Sequence, residues 1–172
     1  MEALMPHVCW TVKIAGVSGT GKTTVMEGLK NSGEIDCEIV IYSQLLSEWG
    51  DQELADLKLA EKLVSSNGLV LMDEHLEFDN PNKTRNYLRE NTRGLVLLDV
   101  PLRDLVMRIN GDKLRNRIAD PRYLSRNLQV SRTKAIQLAH ETKTPLLVIP
   151  NLHGEQERSI AIIKAFVLTN SP

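Results

Sequence analysis

The sequence lacks most of the features that confine a small protein to a special class. It has two cysteines in 172 residues, too few for a disulfide framework. Both Cys9 and Cys37 fall in apolar, strand-like runs, so they are expected to be reduced core residues. No apolar run approaches the ~18 residues of a membrane span. Met1 to His7 lacks the basic-then-apolar layout of a secretory signal. The expectation is therefore a cytoplasmic protein with no membrane partner. Internal repeats, low-complexity tracts and dividing linkers are missing, which predicts one domain over residues 1–172. No H-E-x-x-H zinc motif and no Ser-His-Asp arrangement is present. The N-K-x-D motif of GTPase switches is missing too, because Asn82-Lys83 is followed by Thr84-Arg85.

What remains is an ordinary globular composition, 42% hydrophobic and 25% charged. A chain of this length can bury roughly 70% of its unfolded surface and needs no staple. Its net charge of −1 conceals a strong division. Residues 1–82 carry 5 Lys/Arg against 14 Asp/Glu, and residues 83–134 carry 13 against 5. Ten of the eleven arginines lie between Arg85 and Arg132. Such segregation in a near-neutral chain points to a localised anion site and away from a nucleic-acid partner.

Short continuous apolar runs alternate with helical patterns. Strands are predicted over Val8–Ala15, Ile35–Tyr42, Gly68–Met72, Gly94–Val100 and Leu146–Ile149. Helices are predicted over Lys22–Asn31, from a Ser43 cap to Trp49, after an Asp51 cap, over Asn82–Asn91, from Pro101 to Asn110, over Tyr123–Glu141 and over Glu155–Leu168. Strands that are apolar throughout belong to a parallel sheet covered on both faces. The predicted fold is α/β, three layers around a five-stranded parallel sheet.

Residues 16–23 read Gly-Val-Ser-Gly-Thr-Gly-Lys-Thr and satisfy G-x-x-x-x-G-K-[ST] between a strand and a helix. Glycines let successive N–H groups turn inward around a phosphate, and the helix start adds unpaired donors. Gly16, Ser18, Gly19, Thr20, Gly21, Lys22, Thr23 and Thr24 are thus expected to bind ATP. Lys22 can reach the β- and γ-phosphates, and the Thr23 hydroxyl can ligate Mg²⁺. Asp73 closes the third strand, at the sheet edge where open parallel sheets hold ligands, and is a second Mg²⁺ candidate. His75, close behind, is a candidate contact for a second substrate. Among the arginines, Arg115 and Arg117 fall in an irregular stretch able to close over phosphates as a lid, about residues 111–122. Arg132 on the returning helix can complete the clamp. Guanidinium groups suit phosphoryl transfer because they neutralise charge that spreads over the transferring group. Arg108 ends a helix, where its flat face can stack on a nucleobase.

Taken together, these segments resemble the nucleoside monophosphate kinases, with the closest look to archaeal-type adenylate kinases. GVSGTGKTT is similar to their TGxPGxGKTT opening, without the proline. Met72-Asp73-Glu74-His75 looks like their V-D-T-H segment. Met107-Arg108 through Arg115-Asn116-Arg117 resembles their short, zinc-free R-(x)n-RNR lid, and Ser131-Arg132 their Asn-Arg. Val148-Ile149-Pro150-Asn151 is similar to the I-x-N turn that lines the adenine, which implies Pro150 and Asn151 as ATP contacts.

The resemblance implies a P-loop kinase fold with MgATP as phosphoryl donor and a nucleoside monophosphate, AMP first, as the small-molecule acceptor. One stretch departs from the family. Ser43 to Asn67, where the family places an acceptor-binding arginine, contains none, and carries Glu48, Asp51, Glu53, Asp56 and Glu61 instead. Ser43 and Gln44 can still approach an acceptor, and Arg85 or Arg89 can supply charge from elsewhere. Two further readings therefore stay open. One is a kinase for another small acceptor, such as a sugar acid or a pyrimidine monophosphate. The other is a P-loop ATP-binding protein or slow ATPase that acts as a switch or assembly factor.

Overall fold

The computed structural model describes residues 9–76 and 91–172. Its strands are β1 (Trp10–Ala15), β2 (Cys37–Val40), β3 (Leu69–Glu74), β4 (Thr92–Leu98) and β5 (Leu146–Ile149). They form one sheet in the order β2-β3-β1-β4-β5, with each neighbouring pair parallel. The helices are α1 (Lys22–Asn31), α2 (Tyr42–Trp49), α3 (Gln52–Ser65), α4 (Leu102–Gly111), α5 (Pro121–Thr142) and α6 (Gln156–Thr169). The helix expected over 82–91, with Arg85 and Arg89, lies outside the described residues except for Asn91, which stands in a turn before β4.

Alternation along the strands builds the layers, because successive side chains leave opposite faces of a sheet. Val12, Ile14, Leu69, Leu71, Val96 and Leu98 pack with Val25, Met26 and Leu29 of α1 and Ile163 and Val167 of α6. On the other face, Val70 and Met72 pack with Leu59 and Leu63 of α3, and Ala15, Leu95 and Leu97 with Ala135 of α5. The result is the predicted three-layer α/β/α arrangement around a five-stranded parallel sheet. Both cysteines are buried and free, and burial raises the pKa of each thiol, away from reactive thiolate chemistry. Among the described residues no helix is long and apolar enough to cross a membrane.

The predicted boundaries shift in informative ways. α1 begins and ends at the residues its pattern predicts. α2 starts at Tyr42, with Ile41 and not Ser43 at its cap position and no side-chain cap. Asp51 does cap α3, accepting from the Leu54 amide at 3.0 Å. β3 runs past Met72 through Asp73 and Glu74. Two carboxylates thereby end a strand that is buried along its whole length. Pro101 sits at the cap of α4 instead of its first helical position. α5 starts two residues earlier than its apolar pattern suggests. Asp120 accepts from the Tyr123 amide at 2.7 Å, and Pro121 at the first position brings a fixed φ and no N–H to satisfy.

Candidate active site at the carboxyl edge of the sheet

The loop between β1 and α1 is built from backbone. Gly21 caps α1 at φ 95°, and Gly16 sits at φ 149°, conformations that a side chain disfavours. A Cβ on Gly21 would lie 2.9 Å from Asn151 Nδ2, so glycine is required there for space as well as for φ. No side chain caps α1, and its first turn holds no acidic residue. The amino end of α1 therefore presents its donors and dipole without a competing carboxylate. Lys22 is 7% exposed. Its ammonium donates to the Gly16 carbonyl and, at 3.3 Å, to the Val17 carbonyl, so the cation lies within the ring of its own loop. The Thr20 hydroxyl braces the turn by donating to the Val17 carbonyl at 2.9 Å. Ser18 and Thr24 are exposed, and Gly19 and Thr23 half-buried.

Side chains of α4 and of the turn after β5 hold the loop. Arg108 donates to the Thr20 carbonyl at 3.2 Å and to the Asn151 carbonyl. Asn151 Nδ2 donates to the same Thr20 carbonyl at 2.7 Å. Asn151 is 1% exposed, adopts φ 38°, and its Oδ1 lacks a partner among the described residues. Burial lowers the Arg108 pKa, opposed by the charge of Asp104. Pro150 next to it is exposed.

Asp73 is 5% exposed. Its Oδ1 accepts from the Tyr42 amide at 2.8 Å, and its Oδ2 lies 3.4 Å from His75 Nε2. Burial alone would raise its pKa. The hydrogen bonds from His75 and the Tyr42 amide, with the charges of His75 and Lys22, outweigh that and hold it below the usual carboxylate value. An ionised carboxylate is thus fixed in the field of the loop lysine. Ser43 and Gln44 follow Tyr42 in the first turn of α2, both exposed, which puts them on the Asp73 side of the sheet edge.

The arginines are dispersed. Arg132 Nε donates to both Asp99 oxygens, at 2.7 and 2.8 Å. Arg117 NH1 lies 3.1 Å from Asp112 Oδ2. Burial lowers the Arg117 pKa, and the nearby charge of Arg115 lowers it further, while Asp112 opposes both. Arg115 itself is exposed. Arg85 lies outside the described residues.

Two groups escaped the sequence reading. Lys13 and Glu74 form an ion pair at 3.1 Å with side chains only 3% and 4% exposed. The available signal was a single charge inside the run VCWTVKIA, in a sheet whose faces are both covered. Such a charge needs a buried partner, and a second charge ends the neighbouring strand. The acids Asp99 and Asp112 also stood unassigned. An open cavity of about 500 Å³ lies at the opposite end of the sheet, between Thr92–Arg93 and Thr142–Pro145. It touches none of the groups above and is not the site.

No family model and no curated protein matches the sequence. Solved structures do match the fold. A shikimate kinase from Bacteroides thetaiotaomicron is 15% identical with a TM-score of 0.59, over 92% of this chain and 98% of that one. A sugar kinase from Janibacter sp. is 19% identical with a TM-score of 0.58, over 95% and 96%. A gluconokinase from Sinorhizobium meliloti is 17% identical with a TM-score of 0.52, over 95% and 98%. At such identities the likeness is one of fold.

Proposed function

We propose that residues 1–172 form one ATP-dependent kinase domain that passes the γ-phosphoryl group of ATP to a small hydroxyl-bearing acceptor. The observation that carries the reading is the loop Gly16–Thr23, with Lys22 inside its ring and the ionised, buried Asp73 beside it. In this reading the loop amides and Thr24 at the head of α1 hold the phosphates, and Lys22 meets the β- and γ-oxygens. Arg108 has its edges tied to Thr20 and Asn151, so its face is the part left for a base, with Pro150 alongside. Thr23 and the ionised Asp73 would hold Mg²⁺, a hard cation that needs few protein oxygens. When bound, that ion would supply neutralisation of phosphate charge. Arg115, Arg117 and Arg132 stabilise charge on the transferring group. Residues 112–120, with Leu114 96% exposed, close over it as a lid hinged near Gly111.

A hydroxyl acceptor is favoured over AMP by the hairpin of α2 and α3. That segment has no arginine between Ser43 and Asn67 and carries five acids, so it offers little to a phosphate dianion. Kinases of shikimate and of sugars share the fold. In this reading Ser43, Gln44 and His75 are the polar groups that meet such an acceptor. AMP remains the second reading, favoured by the arginine-rich segment from Arg108 to Arg132.

The test is ADP release from MgATP with a panel of sugars, sugar acids, hydroxylated ring acids and nucleoside monophosphates. The expected outcome is stimulation by one hydroxyl compound well above the water background. Stimulation by AMP alone would return the site to the nucleoside monophosphate kinases. Failure of every acceptor would leave a slow ATPase acting as a switch or assembly factor.

A further inference from the structure

We propose that Asp99 is a positioning residue for Arg132, gripping its guanidinium by Nε so that both terminal amino groups are presented to the phosphoryl group in transfer. The inference rests on the kinase reading above. Arg132 commits only its Nε–H, which is shared between the two Asp99 oxygens at 2.7 and 2.8 Å. Among the described residues NH1 and NH2 have no hydrogen-bond partner. A guanidinium grips phosphate through a pair of N–H groups held in one plane. The Asp99 contact leaves the NH1/NH2 pair intact and fixes that plane.

Both halves of the pair stand on elements that touch the loop. Asp99 follows β4 directly, and its amide donates to the Ile149 carbonyl at 2.8 Å. The preceding residue, Leu98, is fully buried. Its carbonyl is so close that a Cβ on Gly16 would lie 3.0 Å away. Arg132 follows the buried Ser131 on α5, one turn after Leu128, which packs with Val17 of the loop. The carboxylate is only 20% exposed, whereas the arginine is 51% exposed. The acid is therefore the fixed member and the arginine the one being ordered. An exposed ion pair adds little to stability. Its value here lies in preorganisation, since an arginine already oriented need not be ordered as charge develops.

Arg117 shows the contrasting use of an acid. It spends a terminal amino group, NH1, on Asp112, so that pair occupies the gripping end which the Asp99 pair leaves open.

The experiment measures affinity for MgADP, and for MgADP with fluoroaluminate as a mimic of the transferring phosphoryl group. It compares wild type, Asp99→Ala, Asp99→Asn, Arg132→Ala and the Asp99→Ala/Arg132→Ala double variant. The wild type should gain affinity from fluoroaluminate. Asp99→Ala should lose about tenfold of that gain, in the range of groups that orient a functional residue. Arg132→Ala should lose more, and adding Asp99→Ala to it should cost nothing further. Asp99→Asn should keep part of the gain, because its oxygen still accepts from Nε. MgADP affinity should stay constant throughout. Full gain in Asp99→Ala, full additivity with Arg132→Ala, or a parallel loss of MgADP affinity would overturn the proposal. A wild type that binds MgADP but gains nothing from fluoroaluminate would overturn it too. A wild type that does not bind MgADP would overturn the kinase reading instead.

Discussion

In the proposed function the loop Gly16–Thr23 and the arginine segment both meet an anion, and they are organised in opposite ways. In the loop, the ring of groups comes from eight consecutive residues, and Lys22 is 7% exposed and bonded to carbonyls of its own loop. In the segment, three guanidiniums come from a span of eighteen residues, and two of them are tied to acids outside the loop. The loop therefore rests on backbone geometry that local sequence dictates. The arginines rest on side-chain pairings that only the fold creates. Local geometry can be stiff without partners, whereas long side chains need an acid to choose among rotamers. The following predictions divide the two regions on that basis.

The largest effect is expected where the loop's own strand is braced. Lys13 lies three residues before Gly16, and Glu74 follows Asp73, so their buried pair links the strand that leads into the loop to the strand that carries the carboxylate. Breaking a buried ion pair by removing one partner costs about 3–5 kcal/mol. Lys13→Met should lower stability to chemical denaturation by that amount. Lys13→Met with Glu74→Leu should recover much of it, because well-packed apolar pairs replace buried ion pairs at little cost. Equal losses in single and double variants would show that the pair does not act as a unit.

Next in size is the loop lysine. Lys22→Ala should reduce ATP turnover by about 10³-fold, the scale seen when a preorganised donor to developing charge is removed. Circular dichroism should show the fold retained, since the loop is shaped by Gly16, Gly21 and the Thr20–Val17 bond. Wild-type-like turnover in the folded variant would remove the phosphate assignment. Arg132→Ala should be milder, about 10²-fold in kcat with little change in ATP affinity, because its free end acts on the transferring group.

This ordering matches how far each region could be read from sequence. The five strands, the sheet class and the exact span of α1 follow from apolar runs, glycine placement and helical spacing, all local signals. The place of the Gly16–Thr23 loop was equally legible, because its motif is contiguous and flanked by a strand and a helix. Ser43 misled as a cap because the Tyr42 amide is satisfied by Asp73, thirty-one residues away. Which acid orders which arginine was not legible either. Asp99 and Arg132 are separated by 33 positions, and no local pattern links the end of a strand to the middle of the returning helix. Arg108 read as a base-stacking residue, yet its edges hold the Thr20 and Asn151 carbonyls, contacts that exist only once α4 and β5 flank the loop.

The smallest predicted effect separates the two arginine–acid pairs. Arg117 NH1 and Asp112 Oδ2 are 3.1 Å apart, with side chains 18% and 27% exposed. Asp112 is also held in place, accepting from the Leu114 amide at 3.2 Å. A phosphate that recruits Arg117 must compete with this carboxylate for NH1. Asp112→Asn removes the competing charge while keeping an oxygen for the Leu114 amide. It should therefore tighten MgATP binding by about two- to threefold, the range of a partly exposed ion pair, with kcat unchanged. The sign is the informative part, since removing Asp99 is expected to weaken the response to a transferring phosphoryl group. If Asp112→Asn weakened MgATP binding instead, Asp112 would be orienting Arg117 as Asp99 orients Arg132. The arginine segment would then be as preorganised as the loop, only by different means.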